Sequence, residues 1–207
     1  MSQYSEDFEK YKQFFNKHVR YDYSIFAIPK TAKILDVGCG FGDRIEILQA
    51  MNYTHVSGVD IDEQMVQAAQ EKGLDVSLGA IEGTQFDAAQ FDVILVENVF
   101  HHIDSYEQAL DELHRILKPN GMLCIIEPKF TIFRHLLDFV TFKTPTPNIL
   151  KGPWKLRYNV MLQEIESGMY PLWKISQNRF FTYLKKKYKV VFCRGNLWFH
   201  FIKVKKN

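Results

Sequence analysis

Between residues 33 and 128, short apolar runs alternate with stretches whose apolar residues recur at helical spacing. Strands that alternate with helices in this way form a mostly parallel sheet with helices on both faces. Such sheets bind ligands at the carboxyl ends of their strands, so we expect the functional site at that edge. The five predicted strands are residues 33–37, 55–60, 74–78, 91–97 and 122–127.

Polar residues between these runs predict where the helices begin and end. Asp43 is expected to cap the first helix and Asp62 the second, which Gly73 would stop. Asp104, with Glu107 three residues later, resembles a capping box at the start of a third helix. The sequence K-P-N-G at 118–121 is predicted to be the turn that ends this third helix.

The chain changes character after Pro128. We expect an apolar, aromatic and basic helical insertion on the substrate side over residues 129–175, and an N-terminal helical cap over residues 1–30. A helix over about 176–187 then precedes two apolar runs joined by a short turn, which predicts an antiparallel hairpin. These two strands complete a seven-stranded, doubly wound α/β fold in one domain over residues 1–207. The hairpin strands are predicted at 189–193 and 197–204, with the turn at 194–196.

The three cysteines, Cys39, Cys124 and Cys193, are far apart and odd in number. This pattern suits a reducing compartment and predicts neither a disulfide framework nor a metal site. No apolar run approaches the roughly 18 residues of a membrane-spanning helix, and the charged N-terminus has no apolar signal core. We therefore expect a cytoplasmic protein, with peripheral association at a membrane as the alternative.

The sequence I-L-D-V-G-C-G-F-G at 34–42 places glycine at alternate positions directly after the first predicted strand. Glycines there let a ligand lie against the backbone, although a tight structural turn gives the same pattern. Asp60 ends the second strand about twenty residues later, where a carboxylate can accept both hydroxyls of a ribose. The dinucleotide-binding fingerprint requires a third glycine where this chain has Asp43.

With these residues the sequence resembles the class I S-adenosylmethionine-dependent methyltransferases, in particular the group that includes the quinone-biosynthesis methyltransferases. The resemblance covers about residues 30–128 closely and the last hairpin more loosely. It implies a Rossmann-like fold, S-adenosylmethionine as cofactor and methyl transfer as activity. The motifs that carry it are L-D-V-G-C-G-F-G, V-D at 59–60, F-D-V-I-L-V-E-N-V-F-H-H-I from residue 91, and L-K-P-N-G-M-L-C-I-I-E-P up to residue 128.

The resemblance also implies which residues hold the cofactor. Gly38 and Gly40 would lie under its methionine part, and Asp36 would order the loop and contact the amino group. Asp60 would hold the ribose hydroxyls, and Ile61 would pack against the adenine.

The adenine contact departs from the family pattern. The family usually has an aspartate after the third strand, and this chain has Ala80 in that place. Either backbone groups of Ala80 and Ile81 recognise the adenine, or Glu82 substitutes for the aspartate. Glu97 and Asn98, which follow the fourth strand, complete the expected cofactor-binding set.

Methyl transfer from a sulfonium is an in-line displacement, so the protein must chiefly align the acceptor and exclude water. A base is needed only if the acceptor arrives protonated. His102 is the first candidate for a base or acceptor contact, because histidine recurs there in the resembled group. Glu127, which closes the fifth strand, is the second. The alternative is that one of His101 and His102 packs under the loop while the other is solvated.

Charge is divided unevenly along the chain, which bears on the partner. Residues 129–207 hold 16 Lys and Arg against 3 Asp and Glu, although the whole chain has a formal net charge of only +2. We expect an anionic partner for this part, or attraction between the two parts of the fold. The leading hypothesis is a small-molecule acceptor that is hydrophobic or lipid-linked, with residues 129–175 as a lid or a peripheral membrane contact.

Two other hypotheses stay open. One is an RNA methyltransferase whose basic C-terminal side chains contact phosphates. Nucleic acid is the less favoured partner, because the fourth strand ends E-N-V-F and lacks the N-P-P-Y-type motif of amino-methylating nucleic-acid enzymes. The other is a cofactor-binding protein without catalysis. No feature of the sequence indicates an oligomeric state. The basic residues in question are Lys185, Lys186, Lys187, Lys189 and Arg194.

Overall fold

In the computed structural model, the residues described are 23–103, 105–129, 169–196 and 199–206, together with 152, 155, 158, 159, 162 and 166. The predictions that rest on residues 1–22, on Asp104, on residues 130–151, on most of residues 153–168 and on residues 197–198 lie outside them. No helix within the described ranges is both long enough and apolar enough to cross a lipid bilayer.

Strands and helices alternate along the chain as the sequence predicts. The strands are β1 Ile34–Val37, β2 Val56–Asp60, β3 Val76–Leu78, β4 Phe91–Glu97, β5 Leu117–Pro128, β6 Tyr188–Gly195 and β7 Phe199–Lys206. The helices are α1 Asp43–Ala50, α2 Glu63–Glu71, α3 Tyr106–Ile116 and α4 Met169–Lys187, with short 3-10 turns at Tyr23–Phe26 and Phe100–His102.

The seven strands form one sheet in the order β3-β2-β1-β4-β5-β7-β6. Strands β1 to β5 pair in parallel, whereas β7 runs antiparallel to both β5 and β6. The predicted seven-stranded, mostly parallel sheet with an antiparallel C-terminal hairpin is thus confirmed. The strand order reverses between β1 and β4, which places the switch point of the sheet beside the glycine loop.

The central strands are buried on both faces, which explains their nearly continuous apolar sequence. Successive side chains of β1 and β4 enter two separate cores, because side chains alternate across a sheet. The core that α3 and α4 cover contains Leu35, Val37, Ile94 and Val96. The core that α1 and α2 cover contains Ile34, Val93 and Leu95.

The helix caps confirm one prediction and correct another. The Asp62 carboxylate accepts hydrogen bonds from two backbone amides in the first turn of α2, as predicted. Asp43 is not a cap, however, but the first residue of α1. Gly42 takes the capping position with a φ of 81°, where a Cβ atom would lie 2.2 Å from Cδ1 of Leu74. Backbone conformation and close packing, rather than a side-chain acceptor, therefore start this helix.

Three predicted boundaries also shift. Helix α3 has Ser105 at its N-cap, and the Ser105 side chain makes no capping hydrogen bond. Residues 118–121 do not separate α3 from β5, which already begins at Leu117. Phe91 pairs with Leu117 and Val93 pairs with Met122, so residues 118–121 of β5 stand opposite Asp92 alone and form a bulge in β5. In the hairpin, Arg194 and Gly195 pair within β6, so the connection to β7 runs over residues 196–198.

Candidate functional site

The glycine loop over residues 38–42 joins β1 to α1 at the carboxyl edge of the sheet. Gly38 and Gly40 have φ angles of 66° and 54°, which L side chains rarely adopt. A Cβ atom on Gly38 would lie 2.3 Å from Cγ2 of Val99, in the loop after β4. The Gly38 amide also donates to the Val59 carbonyl oxygen at 2.9 Å, which ties the loop to β2. The loop is therefore held between β2 and the loop after β4.

Asp60, the last residue of β2, is fixed by this loop. One carboxylate oxygen accepts a hydrogen bond from the Gly40 amide at 2.7 Å, and the other accepts one from the Asp62 amide at 3.0 Å. A carboxylate oxygen has two lone-pair positions, so each oxygen retains the capacity to accept a second hydrogen bond. The group is thereby oriented to accept two hydroxyls of a ligand at the edge of the sheet.

An exposed apolar rim continues from Asp60 toward the outer strand. Ile61 is 74% exposed and Leu78, at the end of β3, is 52% exposed. Ala80 is half-buried and Glu82 exposed, whereas the Ile81 side chain is buried in the core. Covering the exposed apolar surface with a planar ring would be favourable by about 25 cal/mol per Å². The Ile81 side chain therefore belongs to the core and is not part of this exposed rim.

Beneath the loop lies a buried ionic cluster of four side chains, Asp36, Arg44, Glu97 and Tyr23. Nη1 of Arg44 lies 3.1 Å from Oδ1 of Asp36, and Nε of Arg44 lies 3.8 Å from Oε2 of Glu97. The Tyr23 hydroxyl donates a hydrogen bond to Oε2 of Glu97 at 2.6 Å. Since Asp36 precedes the glycine loop and Arg44 follows it, their ion pair joins the two ends of the loop.

Burial and charge set the protonation states in this cluster. Burial alone would lower the pKa of Arg44, but the neighbouring Asp36 and Glu97 carboxylates outweigh burial and raise this pKa above its ordinary value. Burial, followed by the Glu97 charge, raises the pKa of Tyr23 well above its ordinary value. At neutral pH the guanidinium is therefore charged and the phenol is neutral.

The loop after β4 is held by Glu127 at the end of β5. Oε1 of Glu127 accepts hydrogen bonds from the amides of Val99 and Phe100 at 2.8 and 2.7 Å, and its Oε2 lies 2.8 Å from Nδ1 of His101. Asn98 turns the chain into this loop with a φ of 56°. Glu127 is fully buried. The carboxylate that the sequence places at the rim thus faces the underside of the loop.

His102 stacks on His101, with ring centroids 3.9 Å apart and the planes tilted by 42°. Burial, and then the neighbouring His101, lower the pKa of His102 from 6.5 to about 3. The imidazole is therefore neutral at physiological pH. His101 packs under the loop, as one alternative from the sequence has it, but His102 is half-buried rather than solvated.

The structure brings five of the predicted residues together around the glycine loop, and two side chains of the ionic cluster, Arg44 and Tyr23, were not predicted. Arg44 lies in the first turn of α1, where the helix dipole disfavours a positive charge. Its position in the sequence therefore indicated that an acidic side chain elsewhere in the fold stabilises it. Tyr23 carried no comparable signal, because it is one of several aromatic residues in this part of the sequence. Among the described residues, no three His, Cys, Asp or Glu side chains are grouped to hold a metal ion. The five predicted residues are Asp36, Gly38, Gly40, Asp60 and Glu97.

Comparison with known sequences matches residues 35–125 to a family described as a methyltransferase domain. The demethylmenaquinone methyltransferase of Staphylococcus epidermidis is 30% identical over 139 residues, which are 62% of this chain and 56% of that protein. The ubiquinone/menaquinone biosynthesis C-methyltransferase UbiE of Geotalea uraniireducens is 29% identical over 147 residues, or 65% of this chain and 60% of that protein. The chain thus spans less than two thirds of the length of these relatives.

Two solved structures are similar along the whole chain. A SAM dependent methyltransferase from Aquifex aeolicus has a TM-score of 0.64 at 18% identity, with both chains fully covered. A SAM-dependent methyltransferase from Thermotoga maritima, described as a possible histamine N-methyltransferase, has a TM-score of 0.61 at 17% identity, again with both chains fully covered. The Rossmann-like methyltransferase fold is therefore established.

Proposed function

We propose that this chain, which is similar to the class I S-adenosylmethionine-dependent methyltransferases in sequence motifs and in fold, transfers a methyl group from S-adenosylmethionine to a small, hydrophobic or lipid-linked acceptor. The observation that carries the proposal is the pair of hydrogen bonds, from the Gly40 and Asp62 amides, that fix the Asp60 carboxylate beside the glycine loop. That arrangement offers two acceptors to a ribose, beside a glycine-rich turn to which the group attached to the ribose can lie close.

The residues at this edge fit the cofactor. Gly38 and Gly40 have positive φ angles, and a side chain at Gly38 would overlap Val99 in the loop after β4. We assign Asp60 to the ribose hydroxyls, and the exposed Ile61 to one face of the adenine. When bound, S-adenosylmethionine supplies an electrophilic methyl group on a sulfonium sulfur.

The adenine edge is assigned to backbone groups of Ala80 and Ile81, because the Ile81 side chain is buried in the core. Asp36 and Glu97 are assigned to the methionine end, since both lie beside the glycine loop in the cluster around Arg44. Asn98 follows Glu97 into the next loop and is assigned to the same end.

The loop after β4 is assigned to the acceptor. We place the neutral imidazole of His102 against the acceptor, where it can accept a hydrogen bond from a protonated nucleophile. With a pKa near 3, His102 does not retain a proton at neutral pH. Its proposed contribution is to align the acceptor and to pass the acceptor's proton on to solvent. Glu127 holds the loop that carries His102 and is a positioning residue.

The acceptor class rests on the relatives and on the chain's own insertion. The relatives are methyltransferases of quinone biosynthesis, and demethylmenaquinone is a lipid-like acceptor. Residue 129 leaves β5 at the carboxyl edge, and the indole nitrogen of Trp173 donates a hydrogen bond to the Pro128 carbonyl oxygen at 3.2 Å. The segment between them therefore leaves from and returns to the edge that holds the candidate site. We propose that residues 129–175 form the acceptor side of a single domain and that residues 1–30 cap the cofactor side.

Isothermal titration calorimetry with S-adenosylmethionine tests the cofactor assignment. Asp60→Ala should weaken binding roughly ten- to hundredfold, because hydrogen bonds to a charged group contribute about 1.5–3 kcal/mol. Asp75→Ala is the matched control, since Asp75 is an exposed aspartate before β3, and it should leave binding unchanged. Absence of binding to the wild-type protein would refute the cofactor assignment.

Transfer of labelled methyl from S-adenosylmethionine to a fractionated cell extract tests the acceptor. Label in the organic phase, lost in Asp60→Ala, supports a lipid-like acceptor. Label in the RNA fraction would overturn the acceptor class, and binding without transfer to any fraction would overturn the activity. Flotation with vesicles of anionic and zwitterionic lipid separates a peripheral membrane contact of residues 129–175 from capture of a soluble acceptor.

A further inference from the structure

A cavity of about 480 Å³ lies between α4 and the C-terminal hairpin of β6 and β7. Small residues of the edge strand β6 leave this space unfilled. Cys193 and Gly195 pair with Ile202 and His200, and paired residues of antiparallel strands project to the same face of a sheet. Ile202 belongs to the core that α4 covers, so the cavity lies on that face.

The lining of the cavity is mainly apolar. Phe181 and Leu184 contribute from α4, and Val190 and Ile202 contribute from the hairpin. Val190 is 37% exposed, so water reaches the apolar lining from the edge strand. The volume is typical of small-molecule sites, which span about 300–1,000 Å³ and combine a mostly apolar lining with a few polar groups. The lining is therefore suited to bury an apolar chain.

This cavity is separate from the edge that holds the candidate cofactor site. In the sheet order, β4 and β5 lie between β1 and the C-terminal hairpin. Four strand spacings of about 4.8 Å put β6 roughly 19 Å from β1. A ligand in the cavity therefore occupies a different part of the sheet from a cofactor at the glycine loop.

Two lysines border the cavity. Lys185 of α4 lines it directly. Lys129 follows β5, and its Nζ lies 3.1 Å from the position that a Cβ atom on Gly195 would occupy. Neither lysine forms an ion pair with any residue that the structure describes. No Asp or Glu is among the described residues that line the cavity, so its charge is positive.

Both lysines act on the polar groups of the cavity. Burial raises the pKa of the Cys193 thiol, whereas Lys185 and then Lys129 oppose that rise. Burial lowers the pKa of His200 and Lys129 lowers it further, against the charge of Glu127. Glu127 is itself buried and holds the loop after β4. The imidazole of His200 is thus neutral at pH 7, and both lysines favour a negative charge beside Cys193.

We propose that this cavity binds an amphiphile with an apolar chain and an anionic head group, either a carboxylate or a phosphate. Contact with the apolar lining removes the chain from water. The head group lies beside Cys193, where the ammonium groups of Lys185 and Lys129 supply charge-assisted hydrogen bonds. This binding site goes beyond the proposed methyl transfer and does not depend on it.

Isothermal titration calorimetry with three probes of one chain length tests the proposal. The probes are decanoate, decyl phosphate and the neutral decanol, each below the concentration at which it aggregates. Wild-type protein should bind at least one anion roughly tenfold more tightly than decanol, and added salt should weaken the binding of that anion alone. The tighter of the two anions distinguishes a fatty carboxylate from a phosphate ester.

A pair of adjacent lysines provides the matched variants. Lys185→Met removes the charge and retains an unbranched side chain, so it should weaken binding of the anion roughly three- to tenfold and leave decanol unchanged. Lys186 is the next residue of α4, is exposed and does not line the cavity. Lys186→Met should therefore bind all three probes as the wild type does.

Cys193 reports occupancy of the cavity directly. The bound anion should slow the reaction of Cys193 with an uncharged aromatic disulfide reagent, because the ligand covers the thiol. Val190→Phe fills the cavity from the exposed edge strand and should abolish this protection.

Each possible result decides the proposal. Absence of calorimetric binding and of thiol protection with both anions would overturn it. Decanol binding as tight as that of the anions would show that no head group is recognised. Equal weakening in Lys185→Met and Lys186→Met would place the anion outside this cavity, as would protection of Cys193 that persists in a folded Val190→Phe variant.

Discussion

Nδ1 of His101 lies 2.8 Å from Oε2 of Glu127, and both side chains are buried. The second oxygen of Glu127 accepts two backbone hydrogen bonds, from Val99 and Phe100. One carboxylate at the end of β5 therefore holds three groups of the loop that follows β4. His102 is the next residue of that loop. Its position therefore depends on the Glu127 side chain, which belongs to a different strand, β5.

Replacement of Glu127 should destabilise the protein more than replacement of an exposed glutamate. Glu127→Ala leaves the part-buried Val99 amide, the buried Phe100 amide and the buried His101 imidazole without this partner, which should cost about 3 kcal/mol of unfolding free energy. Glu127→Gln retains one acceptor oxygen and should lose less. Urea denaturation measures both, with the exposed Glu71→Ala as a control expected to stay within about 0.5 kcal/mol of wild type. An equally small change in Glu127→Ala would contradict this role.

Alanine at Gly38 should be far more damaging than alanine at Gly73. Both glycines have positive φ, at 66° and 80°, so both substitutions introduce backbone strain of about 1–2 kcal/mol. At Gly73 no atom lies within 4 Å of the added Cβ, whereas at Gly38 the Cγ2 atom of Val99 lies 2.3 Å away. Gly38→Ala should therefore lose a further 1–3 kcal/mol or so, together with cofactor binding.

The double variant Gly38→Ala/Val99→Ala separates the two causes of that loss. Removal of the Val99 methyl groups relieves the overlap but not the strain at φ, so stability should recover only in part. Urea denaturation measures the loss of unfolding free energy in each variant. Equal losses in Gly38→Ala and Gly73→Ala would contradict the prediction, because Val99 would then move away from the added Cβ at little energetic cost.

Most of the fold was predictable because the central strands are buried on both faces. A nearly uninterrupted apolar run such as 91–97 is too short for a typical helix and indicates a buried strand, and the structure places β4 at Phe91–Glu97. The boundaries failed where backbone geometry replaced side-chain chemistry. Gly42 caps α1 by its left-handed conformation, and residues 118–121 enter β5 as a bulge. Neither outcome has a side-chain acceptor or donor that could signal it in the sequence.

The candidate site was predictable only where a motif is contiguous. The glycine loop and Asp60 are read from two short stretches, and the structure joins them through the Gly40 amide. Tyr23 could not be assigned, because its partner Glu97 lies 74 residues away in sequence. The burial of Glu127 could not be predicted from the sequence either. A carboxylate at the end of a strand can face the open edge of the sheet or a neighbouring loop, and the sequence does not distinguish the two.

The three cysteines should differ sharply in reactivity. Cys39 and Cys124 are buried and Cys193 is exposed, and burial raises the pKa of Cys124 to about 12. Thiolates, not thiols, react with disulfide reagents, so at pH 8 we expect Cys193 alone to react in the folded protein. Partial burial also raises the pKa of Cys193, which should make it slower than a free cysteine.

Titration of the thiols with an aromatic disulfide reagent checks this expectation. One equivalent should react in buffer and three in denaturant, and Cys193→Ser should abolish the reaction in buffer. Reaction of a second thiol on the same timescale would mean that the core around Cys39 or Cys124 opens readily.

His102 should make the protein less stable in mild acid. Burial and His101 lower its pKa to about 3 in the folded protein, against about 6.5 in an unfolded chain. Between these values the unfolded chain binds a proton that the folded protein does not, so stability falls as pH falls from about 6.5 toward 3. At pH 5.5 the loss attributable to His102 should be about 1 kcal/mol.

Urea denaturation of His102→Gln at pH 8 and pH 5.5 measures that loss. The variant should lose about 1 kcal/mol less than wild type between the two values, whereas the exposed His55→Gln should follow wild type. The same low pKa implies that methyl transfer shows no rate step near pH 6.5 from His102, because the imidazole is already neutral there. If His102→Gln retains the full wild-type loss, the imidazole is more accessible to protons than its burial indicates. A base with an ordinary pKa would then be available to the acceptor.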